Sequence, residues 1–262
     1  MSQGKLLWLS ASPSLRWLDA PLIRHLVQQQ ALYLWTYQQS PDESGSLTQA
    51  VQRLHDYLVP KTQHPLAVEE PVHLIGHGIS GVIGLLLARR YPDLVRSLTL
   101  LAVAAQPAAT WHSHYYVQRN LFRCSQRKTL QYMVYHLFPQ ICSGSLNALI
   151  EGLAQDLSQS PCPHSLLRTI ALTPGGVEMP LLLIGGQLDG IVDPNTIYDW
   201  YDWLKPTDGI WLCPQGRHFF HYDFPAMTGR VIHHFLRQVE NATGPCAEEP
   251  EVPLAIARRE IQ

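Results

Sequence analysis

Short unbroken apolar runs alternate along this chain with longer stretches in which apolar residues recur every three or four positions. The runs Leu6–Leu9, Leu32–Tyr37, Val72–Ile75, Val95–Val103, Leu181–Ile184 and Ile210–Cys213 are too short for helices and are flanked by turn residues, so they predict buried strands. The periodic stretches predict helices from Asp19 through Leu26, over Leu47–Leu58, from the glycines after Ile75 to Arg90, over Asn195–Leu204 and over Phe224–Val239. Asp19 is the expected cap of the first, with Pro21 in its opening turn, and Pro60 ends the second. Strands alternating with helices in this way imply an α/β fold: a doubly wound, mainly parallel sheet of about six strands, with helices on both faces.

The alternation breaks between residues 106 and 175. Helical spacing over Tyr115–Leu121, Lys128–Leu137, Leu146–Leu157 and Ser165–Leu172 predicts a helical insertion between two strands, placed as a cap. Residues 1–105 and 176–240 then form the core and 106–175 the cap. Residues 241–262, with Gly244-Pro245 and Glu248-Glu249-Pro250-Glu251, are expected to be a mobile tail.

Composition changes this picture in only a few respects. Charged residues are 15% of the 262, against 46% apolar residues and seven Trp, so either the core is large or an apolar face is covered by a partner. A net charge of -2 gives no electrostatic case for nucleic acid or for an anionic membrane surface. Five cysteines with no C-x-x-C pair suggest neither a zinc site nor a closed disulfide framework, and point to a reducing, cytoplasmic location. Lys5–Ser12 mimics a signal peptide, but its apolar run is too short, and no stretch is long enough to span a bilayer.

The chemistry centres on Gly76-His77-Gly78-Ile79-Ser80-Gly81, which joins a strand to an apolar helix by a sharp turn. It resembles the nucleophile elbow of the α/β-hydrolase superfamily, G-x-S-x-G, with Gly78 where the nucleophile stands. Gly185-Gly186-Gln187-Leu188-Asp189 resembles the superfamily's acid loop, which implies that Asp189 orients a histidine. Gly216-Arg217-His218 resembles the histidine loop, which implies that His218 is the base. Elbow, acid and histidine follow one another in the superfamily's order. The elbow, together with residues 108–123, also resembles uncharacterised hydrolase-like proteins of cyanobacteria.

The resemblance implies an oxyanion donor at the Ile79 N–H and a second in the loop Ser10–Ser14, where Ser12 is the candidate. His77 flanks the nucleophile position without acting as one. Ser80 lies about 200° around the helix from residue 78, so it packs or caps. Trp111 and Tyr115 belong to the cluster Trp111-His112-Ser113-His114-Tyr115-Tyr116, which lines a pocket or packs the cap down. The His112-x-His114 pair lacks a third ligand at motif spacing, so no metal or cofactor is expected. Asn241-Ala242-Thr243 is a glycosylation sequon by pattern only.

Glycine cannot attack a carbonyl. The leading expectation is therefore non-hydrolytic binding of a small apolar molecule or a protein partner. One alternative is an unusual hydrolase, or a cofactor-free lyase or oxygenase, in which an Asp189–His218 dyad activates water or substrate; His218 facing an open cavity beside Gly78 would mark it. Another is a structural or assembly factor, marked by an exposed apolar patch away from the pocket.

Overall fold

In a computed structural model the chain is described over residues 4–40, 42, 46–59, 70–138, 145–167 and 169–242. Pro60, Cys142, Cys246, Thr243 of the sequon and the expected tail beyond Ala242 lie outside these residues. The six apolar runs form β1 (Leu6–Ser10), β2 (Leu32–Thr36), β3 (Val72–His77), β4 (Val95–Leu101), β5 (Leu181–Gly186) and β6 (Gly209–Cys213). They make one sheet in the order β2-β1-β3-β4-β5-β6, and every neighbouring pair is parallel.

Both faces of the sheet are covered, which is why its central strands read as continuous apolar runs rather than as alternating ones. Leu7 and Leu9 point to one face, where α2 (Leu47–Leu58) and α3 (Gly78–Arg90) supply Leu54, Leu58, Val82 and Ile83. Leu6 and Trp8 point to the other, against α1 (Ala20–Leu26) and the C-terminal helix, which contributes Ile232 and Phe235. Between β4 and β5 lies the helical insertion, with α4 (Trp111–Phe122), α5 (Gln126–Leu137) and α6 (Leu146–Gln159). Its core, built on Trp111, Leu130, Met133 and Leu153, packs onto Leu15, Ile191 and Phe219 from the loops at one end of the sheet. The chain continues through α7 (Pro194–Tyr198), α8 (Phe220–Asp223) and α9 (Pro225–Ala242).

Three expectations are corrected. The described residues of 165–172 form no helix: Pro161 and Pro163 hold the approach extended, and side chains take two of the amides. His164 Nδ1 accepts from the Ile170 N–H at 3.1 Å and Gln106 Oε1 from the Leu172 N–H at 3.0 Å. Asn195–Leu204 divides into α7, capped by Asp193, and a 3-10 turn over Asp199–Trp203. Asp19 makes no side-chain cap at α1 and is drawn instead to Trp8 and His221.

After β2 the chain crosses back over β1 to form β3, so the strand order reverses between these two neighbours. Ligand crevices in open α/β sheets form at such a switch point, outside the carboxyl ends of the strands. Here β3 turns directly into α3, and the two backbones touch. A Cβ on Gly76 would stand 2.6 Å from the Gly81 nitrogen, and one on Gly81 2.7 Å from the Gly76 oxygen. No rotamer change relieves a clash with backbone, so Gly76→Ala or Gly81→Ala should each lower stability by about 2 kcal/mol or more. Gly152→Ala is the control, because there a Cβ meets only Leu15 Cδ2 at 3.7 Å inside α6. That change should be neutral or stabilising by about 0.5 kcal/mol. Urea denaturation of the three variants measures both effects.

Candidate functional site

The turn that begins α3 places residue 78 at the crevice. Gly78 has φ +49°, a left-handed conformation that glycine adopts without the penalty of a Cβ. A Cβ built there meets nothing within 4 Å, so the space a side chain would enter is open. Ser80, two residues into the helix, accepts the Ala11 N–H on Oγ at 2.9 Å. This bond ties the elbow to the loop after β1 and gives Ser80 a positioning role. It also commits the Ala11 amide, which leaves the Ser12 segment to face the crevice.

Across from Gly78 stands an imidazole held by a carboxylate. His218 donates Nδ1–H to Asp189 Oδ2 at 3.0 Å, which fixes the tautomer with Nε2 as the acceptor. Asp189 Oδ1 accepts the amides of Ile191 and Val192 at 2.8 and 3.1 Å. Burial disfavours its charge, but the His218 ring and these amides outweigh burial and hold the carboxyl below its usual range. His77 donates Nε2–H to the His218 carbonyl at 2.8 Å, pinning the histidine loop to the end of β3. Burial, reinforced by the neighbouring His221 and His218 rings, keeps the His77 pKa well below the ordinary histidine value, so this ring stays neutral.

Between these groups is a cavity of about 20 Å³, room for one water molecule. Of the residues singled out from sequence around the elbow, its loops and the insertion, Ser12, His77, Gly78, Ile79, Ser80, Trp111 and His218 line it. Asp189 sits behind His218. Tyr115 does not reach the cavity; it faces into the core of the insertion, hydrogen-bonded to Arg119. The His112-x-His114 pair diverges. His112 is buried with Nε2 3.1 Å from Asp156 Oδ2, while His114 approaches His218 and bonds to the Ile191 backbone. Among the described residues no cluster of three His, Cys, Asp or Glu side chains could hold a metal ion.

Asp156 also anchors the insertion beside the cavity. It accepts from Ser160 Oγ at 2.7 Å, and that oxygen lies 3.3 Å from Ser12 Oγ. Helix α6 thus reaches the loop after β1 through a serine relay as well as through apolar packing.

The cavity wall further includes Leu15, Asp19, Thr110 and Phe219, none marked by a motif. Asp19 is the one with chemistry. It accepts Trp8 Nε1–H at 3.0 Å on one oxygen, and the other lies 3.1 Å from His221 Nε2. Asp19 and His221 are 202 residues apart, so no local pattern pairs them; the nearest signal is the His218-x-x-His221 spacing. Burial drives both groups toward neutrality. It pushes Asp19 up to about 7, against the Trp8 hydrogen bond and the charge of Arg16, and His221 down to about 3, assisted by His218. Between about pH 3 and pH 7 the pair is therefore a carboxylic acid donating to a neutral imidazole.

A carboxyl whose folded pKa is raised contributes stability that is complete at low pH and is lost as pH climbs from the unfolded value through the folded one. Asn at position 19 keeps an acceptor for Trp8 and a donor for His221 without ionising. Asp19→Asn should therefore gain stability relative to wild type as pH rises from 4 to 7, by up to about 3 kcal/mol. A pH series of urea unfolding curves for the two proteins measures the difference.

No protein-family model matches the chain. It is 44% identical over 229 residues to "Uncharacterized protein alr2406" of Nostoc sp., covering 87% of this chain and 89% of that one. It is 39% identical over 235 residues to "Uncharacterized protein sll0249" of Synechocystis sp., covering 90% and 91%. Among solved structures it superposes on an alpha/beta hydrolase fold protein from Chitinophaga pinensis with a TM-score of 0.60 and 14% identity over 90% of each chain, which speaks to fold alone. The chain belongs to the family of these two cyanobacterial proteins, and it has the α/β-hydrolase fold.

Proposed function

We propose that this chain is a non-hydrolytic α/β-hydrolase-fold protein that acts by binding, with its helical insertion as a cap closed over a vestigial site. The observation that carries this reading is the cavity itself: at the place of the nucleophile it has glycine, and its volume of about 20 Å³ admits a water but no acyl group. Trp111 and Thr110 of the cap and Leu15 of the opposite loop close it. A small apolar ligand requires the cap to lift, whereas a protein partner can dock on the outer surface with the cap closed. The described cysteines, Cys124, Cys162 and Cys213, are free, which supports a reducing, cytoplasmic setting.

One arrangement favours a second reading. The water-sized cavity faces His218, whose proton-accepting nitrogen is set by Asp189, and this is the geometry for general-base activation of water.

Hydrolysis of short p-nitrophenyl esters by wild type and His218→Ala separates the two. The binding reading predicts equal rates in both proteins, at the level of solvent hydrolysis. Turnover by wild type that His218→Ala reduces 100-fold or more, the order expected for loss of a general base, selects the water-activating dyad instead.

A further inference from the structure

The overall charge of -2 conceals a segregation. Residues 106–175 carry five Lys and Arg against two Asp and Glu, leaving fourteen against nineteen for the rest of the chain. One of the two acids, Asp156, is buried against His112. The basic residues gather where α4 ends and α5 begins. Arg123, Arg127 and Lys128 are exposed, and among the described residues no ion pair engages them; Arg127 meets the neutral amide of Asn147 at 2.6 Å.

The same place carries the most exposed large apolar side chains of the described residues. Leu121 is 68% exposed, Phe122 61% and Leu167 99%, with Leu166 beside it. They form one patch: Asn120 Nδ2 donates to the Leu166 carbonyl at 3.0 Å, and the Phe122 ring lies 6.4 Å from that of the exposed Tyr132. A groove of about 290 Å³ between Phe122 and Tyr132 has Lys128 on its wall. Exposed apolar area of this kind, rimmed by one sign of charge, is the mark of a contact surface.

We infer that this outer face of the insertion docks on an anionic lipid bilayer, with Leu121, Phe122, Leu166 and Leu167 entering the acyl boundary and Arg123, Arg127 and Lys128 lying at the phosphates. Leu121, Leu166 and Leu167 project rather than line the groove beside Phe122, and Leu167 has almost nothing beside it. A protein partner has to offer a matching hollow for such a group, whereas a bilayer accepts it without shape complementarity. Tyr132 and Tyr135 suit the interfacial depth, where aromatic rings with a polar end concentrate. The acidic remainder of the chain is repelled by an anionic surface while the insertion is attracted, so the charge distribution also sets the orientation. No described helix is long and apolar enough to cross a membrane, so the contact is interfacial.

This inference deepens the reading of the cap as the binding element, and it is independent of chemistry at Gly78. Its test is co-sedimentation of the full chain with vesicles of phosphatidylcholine alone, or of phosphatidylcholine and phosphatidylglycerol in equal parts. Binding is expected to the mixed vesicles only, and to weaken as salt is raised. Arg123→Glu combined with Arg127→Glu should reduce partitioning about tenfold or more. Leu121→Ser combined with Leu167→Ser should do the same. All four positions are exposed, and unchanged thermal melting confirms that the variants fold. The inference is overturned by no binding to the mixed vesicles, by equal binding to both kinds, or by either double variant binding as wild type does. It is also overturned if light scattering shows a self-associated wild type that Leu121→Ser/Leu167→Ser renders monomeric, for then a second copy covers the patch. Ester turnover does not enter these readouts, so this reading and the reading of the cavity fail separately.

Discussion

Contact between two backbones at Gly76 and Gly81 is the constraint from which the rest of the site follows. Strand and helix can approach this closely only where neither carries a side chain, and the approach forces the chain to reverse within a single residue. Gly78 takes that reversal with a positive φ, which lifts residue 78 clear of the sheet at the one place where strand order switches. Ser80 then fastens the new helix to the loop after β1, and His77 fastens the end of β3 to the histidine loop. Elbow, first loop and last loop therefore converge because of one tight turn, whatever stands at position 78.

Around that turn, buried polar groups are handled pairwise. Asp189 is matched to His218, Asp19 to His221 and Trp8, and Asp156 to Ser160 beside His112. A carboxylate left alone at such depth would cost several kcal/mol, so removing one partner of a pair leaves the other costly to keep buried. The pairs differ in how they meet the cost. Asp189 keeps its charge because an imidazole and two amides face it; Asp19, with less support, is pushed toward the neutral acid. A preserved carboxylate–imidazole pair is thus no measure of catalysis by itself, since its removal would leave an unsatisfied group in either case.

The sheet was legible because both of its faces are buried, so strands such as Leu6–Ser10 and Leu181–Gly186 appear as unbroken apolar runs. The pairing of Asp189 with His218 was legible through the superfamily's loops. What escaped is long-range. Leu172 loses its helix to Gln106, 66 residues away, and Asp19 leaves its capping position for a histidine 202 residues on. Tyr115 and Trp111 are four positions apart on α4, yet only Trp111 reaches the cavity; helical spacing alone does not say which turn meets the opposing loop. A net charge of -2 is a sum over the chain and does not show that Arg123, Arg127 and Lys128 gather where α4 ends and α5 begins.

The account rests on the claim that the elbow and the Asp189–His218 pair keep the geometry in which a serine at position 78 would meet His218. A crystal structure of Gly78→Ser tests it most directly. The account predicts an unmoved elbow, with φ at residue 78 still positive and the serine Oγ donating to His218 Nε2 at about 2.8 Å. An elbow that rearranges to relieve the new side chain, or a serine hydroxyl turned away from His218, would contradict it.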